Sequence, residues 1–290
     1  MPELPEAETI VRGLRPAVSG RRIQDVEVVH RDVLRAPAAR FRAGLIGRQI
    51  VGVSRRAKNV LLELDDGSVV WINLGMTGAV LPLARPRGSS PARQRYLAAA
   101  THPAVILRLE RSIDLVFDDT RRFGTVEHLG QGASAARHAT FGPEPLSDDF
   151  TPAELWRGLR ASSAPVRSWL LDQRHIAGIG NIYANEALFL AGIHPVRRTR
   201  TIRRREAQAL HHALREVLVA SLTAGGTTIR DFRDADGRTG AYVRQLRVYD
   251  REGLPCVRCS MLVLRFVFGS RSAFYCPVCQ PQRGAPRLKR

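Results

Sequence analysis

Lysine is almost missing from this chain of 290 residues: of its 45 basic side chains only Lys58 and Lys289 are lysine, and the other 43 are arginine. A compositional bias that replaces lysine by arginine wherever either serves accounts for this, and it singles out Lys58, the one lysine inside the part expected to fold. Cysteine is scarce too, four in all, with none before residue 256. No apolar run is long enough to span a bilayer. The opening Met1-Pro2-Glu3-Leu4-Pro5-Glu6 puts acid where a secretory signal is basic. These absences exclude a membrane-spanning chain and a secreted disulfide framework, and they predict a soluble, cytoplasmic protein that does not engage a membrane. Acid is in deficit, 27 Asp and Glu against 45 basic residues, for a net charge of +18. A field of that sign implies a polyanionic partner, most often nucleic acid and less often an anionic membrane surface. What remains is ordinary: 44% hydrophobic and 25% charged residues allow a sizeable core and exclude a wholly disordered chain. The length suggests two domains.

The cysteines fall as Cys256-x2-Cys259 and Cys276-x2-Cys279, sixteen residues apart. This spacing supplies the four thiolates of a structural zinc site, which leaves no open position for catalysis. Two disulfides are the alternative, and they need an oxidising compartment. One structural Zn2+ is expected, and no organic cofactor. Between the pairs, Met261 to Phe268 reads as a strand, Gly269-Ser270 as a turn and Ser272 to Tyr275 as the returning strand, with Arg271 at the tip. Metal at the base of a ribbon fixes its tip, so an arginine there can enter a groove or touch phosphate without first ordering a long loop. A solvated turn arginine is the bland alternative.

The first half reads mostly as strands. Val60 to Leu64 and Val69 to Ile72 flank the turn Asp65-Asp66-Gly67; Val105 to Leu109 and Ile113 to Phe117 flank Glu110-Arg111-Ser112; segments 22 to 29 and 49 to 55 add more, for a sandwich-like sheet domain. One amphipathic helix precedes them, with Pro5 at its start, Ala7, Ile10, Val11 and Leu14 on one face, and Pro16 as its end. The stretch 82–100 reads as a mobile loop and 131–145 as an interdomain linker. Helices follow. Thr151-Pro152-Ala153-Glu154 is a capping box, Pro165 opens a second helix, Asn181 reads as the N-cap of a third closed by Gly192, and Leu210 to Leu222 marks a fourth. The glycine turn Gly178-Ile179-Gly180 before Asn181 gathers backbone N–H groups at a helix start, which suits a phosphate. Such turns are usually only turns.

Removal of Met1 would leave Pro2 as a secondary amine. An α-amino group titrates near 7.7 to 8.0, so part of it is unprotonated at neutral pH, unlike an ordinary lysine. Such an amine can attack a sugar's anomeric carbon and form an iminium, the electron sink for eliminating neighbouring phosphates. Glu3 beside it could shuttle protons. In an arbitrary chain a frayed terminus is the rule.

Taken together, Pro2-Glu3-Leu4-Pro5-Glu6, Arg55-Arg56-Ala57-Lys58, Leu74-Gly75-Met76-Thr77-Gly78, Arg121-Arg122-Phe123-Gly124, Gly142-Pro143-Glu144-Pro145-Leu146, Gly178-Ile179-Gly180-Asn181-Ile182-Tyr183, Gly225-Gly226-Thr227-Thr228 and the cysteine finger, in this order, resemble the formamidopyrimidine-DNA glycosylase family. The resemblance runs from Pro2 to about Gln280. It implies an α+β fold: an N-terminal β-sandwich with an N-terminal helix (1–130), a linker (131–150), a helix-two-turns-helix domain carrying a lesion loop (151–250), a zinc-ribbon hairpin (251–281) and a basic tail (282–290). It implies a bifunctional glycosylase and AP lyase of bacterial base excision repair, a nucleoid-associated monomer whose partner is damaged double-stranded DNA. Pro2 would be the Schiff-base nucleophile, Glu3 the general acid and base, and Lys58 a proton-transfer and phosphate residue. Met76, Arg121 and Phe123 would fill the void left by an extruded nucleotide. His102, Arg167, Asn181 and Arg271 would bind phosphate, with Arg271 also serving the elimination. The loop from Gly226 to about Gln245 would close over flipped 8-oxoguanine. Read alone, Met76 and Phe123 suit a core, and His102 suits a loop.

Several positions depart from the family. Arg167 stands where a phosphate-binding lysine is usual, Pro103-Ala104 follow His102 where polar residues are common, the loop before His102 is long, and Tyr242 is shifted by one place from the usual aromatic of the lesion loop. The sister enzyme endonuclease VIII, acting on oxidised pyrimidines, is the near alternative; Leu4 and the complete Met76, Arg121 and Phe123 set favour the purine enzyme. A noncatalytic zinc-ribbon DNA-binding protein is the distant one, and it leaves Pro2-Glu3 and Lys58 unexplained.

Overall fold

A computed structural model describes residues 2–86, 91–229, 232, 234–235 and 237–282. The chain divides into two compact units, Met1–Thr140 with Ala224–Ala241, and Phe141–Thr223 with Tyr242–Arg290. The tail beyond Gln282 lies outside the described residues.

The first unit begins with α1 (Leu4–Val18), in which Leu4, Ala7, Ile10, Val11, Leu14 and Val18 are fully buried at helical spacing. Pro16 does not end it, contrary to the sequence expectation. A proline this close to a C-terminus forfeits one backbone bond, at Arg12, whose side of the helix is exposed to water. There follow β1 (Ile23–Val28), α2 (Ala38–Leu45), β2 (Ile50–Arg56), β3 (Asn59–Leu64), β4 (Val69–Asn73), β5 (Ala79–Ala84), α3 (Pro91–Ala99), β6 (Pro103–Leu109), β7 (Ile113–Asp118), β8 (Thr125–Leu129) and α4 (Gln131–Ala139). The strands form two four-stranded antiparallel sheets, ordered β1-β6-β7-β5 and β2-β3-β4-β8. Val26, Val105, Leu107, Leu115 and Phe117 of the first meet Val53, Val60, Leu62, Val70 and Ile72 of the second in one cluster that also takes in Ile10, Val11 and Leu14 of α1. This is a sandwich whose core a helix completes.

Two segments read as loop and linker contain helices. The 82–100 stretch carries the end of β5 and α3, and the 131–145 stretch carries α4. In α3 the Tyr96 hydroxyl donates to Asp114 Oδ2 (3.1 Å), while Arg85 Nε donates to Asp114 Oδ1 (2.7 Å). Tyr96 and Leu83 pack against Ala100, Ile106 and Val116. Burial, with the Asp114 carboxylate adding to it, pushes the Tyr96 hydroxyl up to about 12.

In the second unit α5 (Pro152–Arg160) opens with the Thr151/Glu154 capping box. It is followed by α6 (Val166–Leu171), α7 (Asn181–Leu190), α8 (Arg204–Thr223) and the hairpin β9 (Leu264–Phe268) and β10 (Arg271–Tyr275). Nearly every residue of α7 is buried, including the polar Asn185 and Glu186, so it forms the unit's centre. Its one acid, Glu186, accepts the backbone N–H groups of Arg247, Val248 and Tyr249, each at 2.9 Å. Burial raises the Glu186 pKa against the pull of those donors. The N-cap of α7 is Gly180, one residue before the expected Asn181. Gly192, at φ +68, closes the helix as expected. Among the described residues no helix is long and apolar enough to cross a membrane.

Candidate DNA-binding and catalytic sites

In the first unit the chain terminus is pinned rather than frayed. Pro2 and Glu3 are buried, and Glu3 is only 2% exposed. The buried Glu6 carboxylate bridges two backbone donors: Oε2 accepts the Glu3 N–H at 2.8 Å and Oε1 accepts the Thr227 N–H at 2.7 Å. One side chain thus ties the terminus to the root of the loop that follows α8. That loop is clamped at its base, because Ala241 N–H donates to the Ala224 carbonyl (2.9 Å) and Gly240 N–H to Thr228 Oγ1 (2.8 Å). Ala235 and Phe232 of the same loop pack on the sandwich core.

Lys58, half-buried, sits in the tight turn between β2 and β3, where Ala57 takes a positive φ of 53°. Arg55 braces this turn against the first part of α1, with Nε donating to Glu8 Oε2 (3.2 Å) and Nη1 to the Ala57 carbonyl (2.7 Å). From the turn a polar relay runs onward: Asn73 Nδ2 donates to Asn59 Oδ1 (2.8 Å), and Asn73 Oδ1 accepts the Gly75 N–H (3.0 Å).

The 74–78 and 119–124 loops are organised by Asp119, 1% exposed, which sequence reasoning passed over. Its Oδ1 accepts from Thr77 Oγ1 (2.5 Å) and from Arg121 N–H (3.3 Å), and its Oδ2 accepts Gly124 N–H (2.8 Å). The neighbouring Asp118 accepts His102 N–H at 2.7 Å, and burial raises its pKa. The pair Asp118-Asp119 just before Thr120-Arg121 was the available sign. What these carboxylates hold out is apolar. Met76 is 40% and Phe123 58% exposed, so neither is a core residue, and the Arg121 guanidinium lies over the Phe123 ring at 4.6 Å. His102 is exposed, with Thr101 and Thr120 hydroxyls at 2.9 and 3.3 Å from Nδ1.

In the second unit, Gln173 shapes the glycine turn before α7. Its Oε1 accepts Gly178 N–H (2.8 Å) and its Nε2 donates to the Ile179 carbonyl (2.9 Å). Asn181 does not cap its helix; its Nδ2 donates to the Ser272 carbonyl (3.0 Å) and its Oδ1 accepts from Arg167. Arg167, expected as a phosphate ligand, is 2% exposed and directs its donors at protein acceptors. Arg271 is exposed at the start of β10, paired with Phe268 across the Gly269-Ser270 turn. Tyr242 is fully buried, its ring centroid 6.1 Å from that of Tyr183, and burial pushes its hydroxyl up to about 12.

The sulfur atoms of Cys256, Cys259, Cys276 and Cys279 all lie within 4.8 Å of one another, and none is in a disulfide. Sulfur separations of 3.4 to 3.9 Å suit a tetrahedron with Zn–S near ~2.3 Å, whose edges are about 3.8 Å. Backbone N–H groups of Arg258 and Cys279 point at Cys256 Sγ and Cys276 Sγ, each at 3.4 Å, as thiolates favour. The four residues fit a structural zinc ion.

Residues 1–126 match the profile described as the formamidopyrimidine-DNA glycosylase N-terminal domain, residues 141–233 the H2TH domain of the same enzyme, and residues 253–282 a zinc finger found in FPG and IleRS. A formamidopyrimidine-DNA glycosylase of Chloroflexus aggregans is 46% identical over 281 residues, covering 97% of this chain and 98% of that protein. One of Cereibacter sphaeroides is 41% identical over 284 residues, covering 97% and 100%. The crystal structure of MutM (FPG) from Thermus thermophilus aligns with a TM-score of 0.83 at 39% identity, over 96% of this chain and 98% of that one. A Lactococcus lactis FPG in complex with DNA containing an abasic site aligns at 0.85 and 30% identity, over 96% and 99%.

Proposed function

Because the chain belongs to the formamidopyrimidine-DNA glycosylase family and is a DNA glycosylase of oxidised-purine repair with a zinc finger, we propose that it is also an AP lyase that acts through Pro2. The observation that carries this reading is the Glu6 bridge, which holds the Pro2-Glu3 terminus buried at the root of the 224–241 loop. Pro2 directly precedes the N-cap Glu3 of α1, so its nitrogen belongs to the positive end of that helix.

With Met1 removed, the Pro2 nitrogen bonds to C1′ of an extruded nucleoside, and the bond from C1′ to the base breaks, the base leaving with a proton. Glu3 protonates O4′ as the deoxyribose ring opens to the iminium. Loss of a C2′ proton expels the 3′ phosphate, a second elimination expels the 5′ phosphate, and water hydrolyses the iminium to free Pro2. Lys58 serves proton transfer and phosphate binding. Met76 and Phe123 wedge into the vacated stack with Arg121 facing the orphaned base, offsetting an unstacking cost of a few kcal/mol. His102, Asn181 and Arg271 hold backbone phosphates. The zinc ion, bound by the four cysteines, supplies structure alone, fixing the base of the hairpin that bears Arg271. The protein works as a monomer on damaged duplex DNA in the cytoplasm.

The test is borohydride trapping. Wild-type protein should become covalently linked to a duplex carrying 8-oxoguanine, with faster cleavage there than at thymine glycol. Pro2→Gly should not be trapped, and trapping at undiminished yield would remove Pro2 from the reaction.

A further inference from the structure

Arg167 lies on α6 with 2% of its surface exposed, and no carboxylate pairs with it among the described residues. Its guanidinium spends its donors inward. Nε and Nη2 reach Asn181 Oδ1 at 3.2 and 2.6 Å, Nη2 also reaches the Ser272 carbonyl at 2.9 Å, and Nη1 reaches the Phe268 carbonyl at 3.4 Å. Those two carbonyls bracket the hairpin tip. Phe268 ends β9, Ser272 follows Arg271 in β10, and Gly269 and Ser270 between them both take φ of +60°. One planar group therefore ties both strands of the ribbon to the side chain of Asn181, which itself donates to the Ser272 carbonyl at 3.0 Å. Burying an unpaired cation is costly. Burial, followed by repulsion from Arg271, lowers the Arg167 pKa to about 10, so the group is retained against an electrostatic penalty. A lysine ammonium is a single donor atom and cannot span acceptors on two strands and an amide as this fork does.

We propose that Arg167 is a positioning residue for the elimination and DNA-binding machinery: it fixes the backbone on both sides of Arg271, and the amide of Asn181, and does not itself touch phosphate. The zinc site holds the ribbon at its base and Arg167 holds it at its tip, leaving Arg271 little freedom to lose when DNA binds. The proposal rests on the reading of Arg271 as a phosphate contact.

The test is a double-mutant cycle on binding to a duplex carrying a stable abasic analogue, and on single-turnover strand cleavage, with zinc content and thermal unfolding recorded for every variant. Arg271→Ala should weaken binding about tenfold, and Arg167→Lys, which keeps the charge, should also weaken it, by at least about fivefold; in the double variant the Arg167→Lys step should shrink to the part that acts through Asn181, because residues acting through one another are not additive. Additive losses, or Arg167→Lys binding as wild type does, would overturn the positioning role and indicate a direct phosphate contact. If Arg271→Ala binds and cleaves normally, the phosphate reading of Arg271 fails instead. Hydrogen exchange of the unaltered protein without DNA supplies a measurement that needs no variant. The amides of Phe268 and Arg271, which pair across the turn whose flanking carbonyls Arg167 holds, should be protected, and exchange there at the rate of an unstructured loop would equally overturn the proposal.

Discussion

A single methyl group is enough to separate the two loops that present Met76 and Phe123. Gly75 has φ +57, and a Cβ built on it would lie 2.5 Å from Gly124 N and 2.7 Å from Phe123 C, both backbone atoms that cannot swing aside. Gly75→Ala should therefore cost about 1–3 kcal/mol of stability and slow cleavage of an 8-oxoguanine duplex more than it weakens binding to undamaged DNA. Equal cleavage rates for the two proteins would show that the loops need not abut. His194 offers a titration at the same scale. It is buried between Phe266 and Tyr275, with Val196 N–H donating to its Nδ1 at 3.4 Å, and burial pushes its pKa down to about 4. The unfolded chain takes up a proton below about 6.5 that the folded one refuses, so stability is intact above 6.5 and falls as the pH drops towards 4. Between pH 7 and pH 5 the loss from this residue is about 2 kcal/mol. In zinc-replete buffer His194→Gln should lose less stability over that interval than wild type, and an identical pH response would refute the assignment. Neither position could be understood from the sequence. Gly75 sat in a recognisable motif, but the reason for it is Gly124, 49 residues on, and the rings that enclose His194 belong to Phe266 and Tyr275, far along the chain.

Elements were legible where their signals are local. The hairpins β3–β4 and β6–β7 are short apolar runs bounded by polar turns, and the Thr151/Glu154 box forms as written. Thr151→Ala should destabilise the second unit by about 1 kcal/mol, read as a lower denaturation midpoint; no change would mean that the box is formed but idle. Elements were illegible where tertiary contacts outvote composition. The α3 and α4 segments have no apolar stripe, yet α3 is fastened by Tyr96 to the buried Asp114, which Arg85 also binds, and its Ala, Gln and Arg residues favour a helix once it is docked. Asn181 has the ideal chemistry for an N-cap, but its amide is claimed by Arg167 and the hairpin, so the cap falls to Gly180. The finger is the reverse case, fully announced by cysteine spacing. Cys256→Ser should release zinc, free the Arg271 tip and weaken duplex binding. Zinc loss with unchanged affinity would confine the finger to stability.

At the scale of the whole molecule the net charge of +18 predicts that the protein binds nucleic acid but not how. Exposed arginines contribute a diffuse attraction that salt screens with distance, whereas each phosphate neutralised in contact releases condensed counterions. The two can be told apart, because log K against log salt falls with a slope of about −0.9 per contacted phosphate whatever the net charge. Of the residues read as phosphate contacts, Arg271 carries a permanent charge and Asn181 carries none. Arg271→Ala should accordingly flatten the slope by about 0.9 while Asn181→Ala leaves it unaltered, even where both weaken binding. Fluorescence anisotropy titrations on undamaged duplex between about 50 and 200 mM salt resolve such a difference. A slope that is flat in the wild-type protein would mean that its charge serves solubility rather than DNA. Equal slopes for wild type and Arg271→Ala would place the hairpin tip away from the phosphates and leave the affinity to arginines that no motif distinguishes.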